Sequence, residues 1–188
     1  MELFWADGYE GASLTRLQKV MGGITAPSFY AAFGSKEELF REAVALYQAE
    51  VGARAGRALM DSPTARAGIE AMLRTATEIF SGRGTPSGCL VMLGATNCST
   101  PSVQEFLRNH RQMAPRMIKT RLERGIEEGD MPRNANAAAL ASFFSSILYG
   151  IALRARDGAS RKALSHTVDG AMAAWETLVK HGFEPPAK

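Results

Sequence analysis

Three helix starts and two glycine stops fall within residues 13–36, and they restrict this 188-residue chain more than any other feature. Ser13 suits the N-cap of a helix over 14–21, because its hydroxyl can accept from a first-turn N–H that has no partner inside the helix. Leu14, Leu17, Val20 and Met21 form the inward face of that helix. Gly22-Gly23 ends it, since glycine enters the left-handed region at little cost. Ile24 is placed to fill the gap between helices. Thr25 then caps a second helix over 26–33, with Pro27 in the first turn, where a missing N–H does no harm. Gly34 stops this helix, and Ser35-Lys36-Glu37-Glu38 reads as a capping box that opens a third. Helix, tight glycine turn and helix in so short a span is the helix-turn-helix plan.

Beyond this block apolar residues recur at spacings of three and four, with no sustained alternation of the kind a half-buried strand needs. Glycine, proline and asparagine or aspartate breakers divide the chain into helices at 36–55, 64–81, 87–97, 102–128, 136–156 and 160–181. Pro115 falls inside the 102–128 pattern and is expected to kink or interrupt it. The fold class is therefore all-α. A three-helix helix-turn-helix domain over residues 1–48 precedes a helical bundle over 49–188. The helix from Lys36 would join the two as a rigid connector, about 30 Å long if it runs about twenty residues.

Hydrophobic residues make up 46% of the chain and charged residues 22%, which suits a globular protein with a full core. No apolar run approaches the roughly 18–20 residues that cross a bilayer, so no membrane partner is expected. The N-terminus lacks the basic, apolar and small-residue succession of a signal peptide. Two cysteines, Cys89 and Cys98, do not suggest a disulfide framework, and the expected compartment is the cytoplasm. A net charge of +3 and a pI near 9.0 look favourable for nucleic acid, but the distribution does not. Residues 1–48 carry four basic side chains (Arg16, Lys19, Lys36, Arg41) against six acidic ones (Glu2, Asp7, Glu10, Glu37, Glu38, Glu42). Any case for DNA binding rests on where individual donors sit.

In the helix over 26–33, Phe29 and Phe33 are four apart and should face inward, which turns Pro27, Ser28, Tyr30 and Ala31 outward. Apart from Tyr30 these are small, so the helix could approach the floor of a major groove closely. Free N–H groups at the next helix start, with Lys36 beside them, make a corner suited to a phosphate. The same spacing also serves purely structural packing of three helices, with Tyr30 a rim aromatic and Lys36 a solvated charge.

Gly8-Tyr9-Glu10-Gly11-Ala12-Ser13, then Gly23-Ile24-Thr25, then Phe29-Tyr30-Ala31-Ala32-Phe33-Gly34-Ser35-Lys36-Glu37-Glu38-Leu39-Phe40 resembles the N-terminal signature of the TetR (tetracycline-repressor) family. The match covers about the first 48 residues, in several separate blocks in order; the remainder resembles the family only in helix number and lengths. The resemblance implies that Thr25, Tyr30 and Lys36 contact phosphates of operator DNA, and that Pro27, Ser28 and Ala31 lie nearest the base edges. With no Arg, Asn or Gln on this helix, readout would lean on Ser28, thymine methyl contacts and DNA shape. Family members normally begin with a longer first helix preceded by a basic arm. Here Met1–Ala6 stands in its place, with Leu3, Phe4 and Trp5 as the core-facing end, so a preceding segment is expected to be missing from the sequence and to supply positive charge.

Two stripes mark the last helices: Leu140, Phe143, Phe144, Ile147, Leu148 and Ile151, then Leu164, Val168, Ala171, Met172, Trp175, Leu178 and Val179. Part of each stripe is expected to be core. The resemblance implies that the two helices also build a four-helix interface with a second copy, through Phe143, Ile147, Ile151, Val168, Met172, Trp175 and Val179. A homodimer suits reading of two half-sites one DNA turn apart. Met72, Phe80, Met92, Phe106, Met113, Met117, Phe144 and Tyr149 are adaptable apolar or amphipathic side chains; they are candidates for a pocket taking a small apolar or amphipathic effector, although core packing also accounts for them. Cys89, Cys98 and His110 match no zinc spacing, and no metal or cofactor is expected. His110, His166 and His181 are scattered without a nucleophile or acid partner, so an enzyme is not expected. The function expected is a ligand-responsive transcriptional regulator, a repressor released from its operator by a small molecule. The alternative is a helical ligand- or protein-binding dimer that has lost DNA binding.

Overall fold

The structure is a computed structural model and describes residues 1–82 and 84–181. Among these residues the secondary structure is helical, with no strand. The first helix, α1 (Glu2–Gly11), is interrupted at Gly8, whose φ of 71° and ψ of −179° lie in a region open to little but glycine. The break brings the Tyr9 N–H to Gly94 O at 2.7 Å, and a Cβ at position 8 would stand 3.0 Å from that same oxygen. Phe4 and Trp5 are buried, as expected of a core-facing end.

α2 (Leu14–Val20) and α3 (Ala26–Phe33) carry the caps expected of them. Ser13 Oγ accepts from Arg16 N at 3.3 Å, and Thr25 Oγ1 accepts from Ser28 N at 3.3 Å. The expected inward face of α2 needs one correction, because Val20 is 65% exposed. At about 100° per residue, Leu14 and Met21 lie on one flank of Leu17 and Val20 on the other. The core lies on the first flank, where Leu17 is buried and Leu14 and Met21 are half-buried. The Ser35 capping box is half formed. Ser35 Oγ accepts from Glu38 N at 3.0 Å, but the Ser35 N–H bonds to Phe33 O rather than to Glu38.

α4 (Lys36–Tyr47) runs into a π-helical turn over Gln48–Gly52 and then into α5 (Ala53–Met60). The connector is therefore longer than the 36–55 expected, and it is wound wide in the middle: the Ala53 N–H reaches back five residues to Gln48 O. α6 (Ala65–Phe80) starts at a Thr64 cap and packs against α5, α9 (Met113–Glu128), α10 (Ala137–Arg156) and α11 (Arg161–Ala173). Its buried Ile69, Leu73 and Ala76 meet a core that also contains Leu122 of α9, Leu140 and Phe144 of α10, and Leu164 and Val168 of α11.

Three expected helices are divided differently. The 87–97 helix shrinks to α7 (Leu90–Leu93), because Gly88 sits at φ 82° before it and the chain beyond Gly94 turns to meet α1. The 102–128 pattern is two helices, α8 (Pro101–Arg111) and α9, separated at Gln112. Pro115 lies in the first turn of α9, where it interrupts no hydrogen bond, and so it does not kink a longer helix. The last pattern breaks at Ala174 into α11 and α12 (Trp175–His181). α10 also corrects the expectation that no apolar run nears membrane length. Of its 20 residues an 18-residue stretch has a mean hydropathy of 1.5, with 44% of that stretch buried, and the helix packs on α6, α9 and α11.

Candidate functional site

α3 is held by one face. Phe29 is fully buried, its ring lies 5.3 Å from that of Phe33, and the Tyr30 ring stands edge-on to it at 5.5 Å. This leaves Tyr30 half exposed, with Pro27, Ser28 and Ala31 exposed around it. The Thr25 and Ser28 hydroxyls lie 2.9 Å apart and share a hydrogen, so the cap and the outward serine are oriented together. The sequence-derived set Thr25, Pro27, Ser28, Tyr30 and Ala31 thus forms one continuous solvent-facing surface.

Lys36 departs from that picture. It is half-buried, and its Nζ sits 4.4 Å above the Tyr9 ring. Burial lowers its pKa, opposed by the nearby Glu10 carboxylate. The same region fastens the helix-turn-helix to the body. Glu10 accepts from Ser99 N and Oγ at 2.8 and 2.7 Å. Glu37 bridges Arg41 Nη2 at 2.6 Å and Ser102 Oγ at 2.7 Å. Arg41 also stacks over Phe106 at 4.4 Å. On the other side of α1, Arg156 donates to Trp5 O and Ala6 O, and the Trp5 indole donates to Gly88 O at 3.0 Å.

Behind this seam lies a cavity of about 450 Å³, within the size range of small-molecule sites. Six of the eight expected pocket residues line it: Met72, Phe80, Met92, Met113, Met117 and Tyr149. Two do not. Phe106 faces Phe40 and Arg41 at the seam, because α8 turns its Ser102–Phe106 face toward α4. Phe144 is fully buried against Phe143 and Trp175 in the bundle core. The cavity wall also takes in Tyr47, Gln48 and Gly52 of the connector, and His110 and Arg111 at the end of α8. The sequence reading missed these residues. His110 Nδ1 donates to Phe106 O at 2.9 Å, and Tyr149 O–H donates to Arg111 O at 2.7 Å. Burial pushes the phenols of Tyr47 and Tyr149 up, so both remain neutral donors in the wall. A polar pair at the boundary of two amphipathic helices was the one available signal for His110 and Arg111.

The expected interface residues divide in two. Ile151, Val168, Met172, Trp175 and Val179 are buried within the single chain and form part of its own core. The stripes they belong to face α6 and each other, because each helix packs its most apolar side inward. Phe143 and Ile147 are half-buried on the flank of α10, beside exposed Leu153 and a Gly150 whose Cβ position is open.

A capped helix-turn-helix joined by a long helix to an all-helical body with an apolar cavity defines a class of DNA-binding regulators. Residues 1–43 match the family described as "Bacterial regulatory proteins, tetR family", and residues 63–171 match the "Tetracyclin repressor-like, C-terminal domain". The chain belongs to the TetR family of transcriptional regulators. It is 29% identical over 183 residues to the HTH-type transcriptional repressor ComR of Escherichia coli (strain K12), covering 96% of this chain and 87% of that protein. It is 25% identical over 178 residues to the repressor BdcR of the same strain, covering 95% and 86%. Among solved structures, a cysteine mutant of the TetR family regulator CifR complexed with 26-bp double-strand operator DNA superposes with a TM-score of 0.88. That match has 40% identity and covers 93% of this chain and 92% of that one.

Proposed function

We propose that the chain is a homodimeric, cytoplasmic repressor that leaves its operator when a small apolar or amphipathic ligand enters the cavity. The observation that carries this reading is that one cavity touches two of the mechanical links to the helix-turn-helix, the connector and α8. Its wall includes Tyr47, Gln48 and Gly52 of the connector and Arg111 at the end of α8. The opposite end of α8 holds Glu37 through Ser102 and Arg41 through Phe106. A ligand that fits only one arrangement of these helices shifts the population between a head spacing that fits DNA and one that does not.

In this reading residues 1–48 bind DNA and residues 49–188 bind ligand and a second copy. Thr25, Tyr30 and Lys36 contact phosphates, Lys36 after swinging off Tyr9, while Pro27, Ser28 and Ala31 lie over base edges. The dimer forms across the flank of α10 that carries Phe143, Ile147 and Leu153, together with the facing side of α11. The deeper residues of both stripes support that face from below. CifR in complex with operator DNA supports the docking, and the names of ComR and BdcR support repression.

A mobility-shift assay on the DNA upstream of the protein's own coding sequence tests this. Wild type should give a discrete shifted band, and Met117→Trp, which fills the cavity, should lose it while keeping its helical circular dichroism. A wild-type chain that shifts no upstream fragment overturns the repressor reading and leaves a helical ligand- or protein-binding dimer.

A further inference from the structure

The cavity is not uniformly apolar. Arg111 is half-buried in its wall, while Arg57 and Asp61, which also border it, are exposed. The only hydrogen bond its guanidinium makes among the described residues is a long one, 3.4 Å from Nη1 to Val91 O. No carboxylate pairs with it among those residues, although most of the other arginines in the body are paired or capped: Arg74 with Glu70 and Asp169, Arg124 with Glu128, Arg156 with three carbonyls. A guanidinium carries five N–H donors in a planar fork, and here most of them have no partner among the described residues. Burial, helped by the neighbouring charge of Arg108, lowers its pKa. A second feature adjoins it. α9, 16 residues long, begins at Met113 without a side-chain cap, and its first residues Met113 and Ala114 line the same wall. In that first turn Met113 and Ala114 carry N–H groups while Pro115 has none, and such N–H groups at a helix start favour an anion.

Resting on the reading of this cavity as the effector site, we propose that the effector is a small organic acid. Its apolar body lies among Met72, Phe80, Met92 and Met117, and its carboxylate is held by the fork of Arg111 beside the first turn of α9. A carboxylate matches the fork with two parallel hydrogen bonds, and the surrounding apolar wall keeps competing water away. The rim residue Asp61 repels a second acidic group, which limits the ligand to one.

Three probes with the same body and different heads decide it: 4-phenylbutyrate, 4-phenylbutanol and 4-phenylbutylamine, titrated calorimetrically into the full chain. In wild type the acid should bind about tenfold or more tighter than the alcohol, the gain expected of a charged hydrogen-bonded pair. In Arg111→Met the acid should lose that advantage and bind no tighter than the alcohol. Arg111→Lys, which keeps the charge and loses the fork, should retain part of the preference and serves if the methionine variant does not fold. An alcohol or amine that binds wild type as well as the acid overturns the acid class and leaves the cavity reading standing. An acid preference that persists in Arg111→Met overturns the role of Arg111. If none of the three binds wild type, both the acid class and the cavity reading fall.

Discussion

Arg156, at the last turn of α10, donates through Nη2 to the backbone carbonyl of Trp5 at 2.6 Å. Its Nη1 reaches Ala6 O at 2.9 Å and its Nε reaches Ser87 O at 2.9 Å. The carbonyls of Trp5 and Ala6 lie just before the break at Gly8, where the helix has no following turn to satisfy them. One side chain from the bundle thus closes a helix of the DNA-binding head.

Because charge-assisted hydrogen bonds contribute about 1.5–3 kcal/mol each, Arg156→Gln should lower stability in urea by about 2–3 kcal/mol. Hydrogen exchange at residues 5–9 should accelerate more than exchange in α6. Equal protection at both places would show that Arg156 does not hold the head.

Arg121 is completely buried, and among the described residues its Nε and Nη1 have no hydrogen-bond partner, Nη1 lying 3.9 Å from Glu128 Oε2. Its Nη2 donates to Ser62 O at 3.2 Å and lies 3.6 Å from Asp130 Oδ2, whose carboxylate also caps the N–H of Ala65. A buried charge with so few close bonds adds little net stability, but stranding it is costly. Arg121→Met should therefore change stability by less than about 1 kcal/mol, whereas Asp130→Ala should lose about 3–5 kcal/mol. A methionine variant as unstable as the alanine one contradicts this account.

Hydrogen bonds from Arg41 and Ser102 hold the Glu37 carboxyl below its usual range, and those from Ser99 do the same for Glu10. A depressed folded-state pKa gives stability that is present above the unfolded carboxylate value and is lost as pH falls through the folded one. Wild type should consequently lose stability as pH drops below the ordinary glutamate range, and Glu37→Gln should flatten part of that fall. Urea midpoints measured from pH 3 to pH 6 read the difference; parallel curves for the two proteins would remove Glu37 from the explanation.

On DNA, Tyr30→Phe should weaken binding by about tenfold or more on every sequence alike, the loss of one hydrogen bond to a charged phosphate. Ser28→Ala should instead alter preference at a single base position, and it also frees Thr25 from its shared hydrogen. A selection experiment with randomised operators separates the two effects, and a changed sequence preference with Tyr30→Phe would reverse their assignments.

What was legible in the sequence was local. Ser13, Thr25 and Ser35 cap the helices they were assigned to, since a cap depends on three or four consecutive residues. Val20 was misplaced because a seven-residue helix leaves two flanks equally apolar, and only the neighbouring core chooses between them. Residues 87–97 were read as a full helix because nothing local reveals that Gly94 O will be taken by Tyr9, 85 positions earlier. Phe106 looked like its methionine neighbours, yet Arg41 captured its ring. Arg156 carries no pattern at all, and Arg111 only the polar pair it forms with His110; their roles come from where separate helices end in space.

The wide turn at Gln48–Gly52 also fixes an angular phase. Deleting one residue as it closes into ordinary α-helix would leave the phase almost unchanged, whereas closing it at the same chain length would rotate everything on its N-terminal side by one residue's turn, ~100°, about the connector axis. The recognition surface would then point elsewhere, although every cap on it and every side chain in the cavity stayed the same. Head and body are geared through a single loosely wound turn, and how tightly that turn is wound sets the direction in which the head faces.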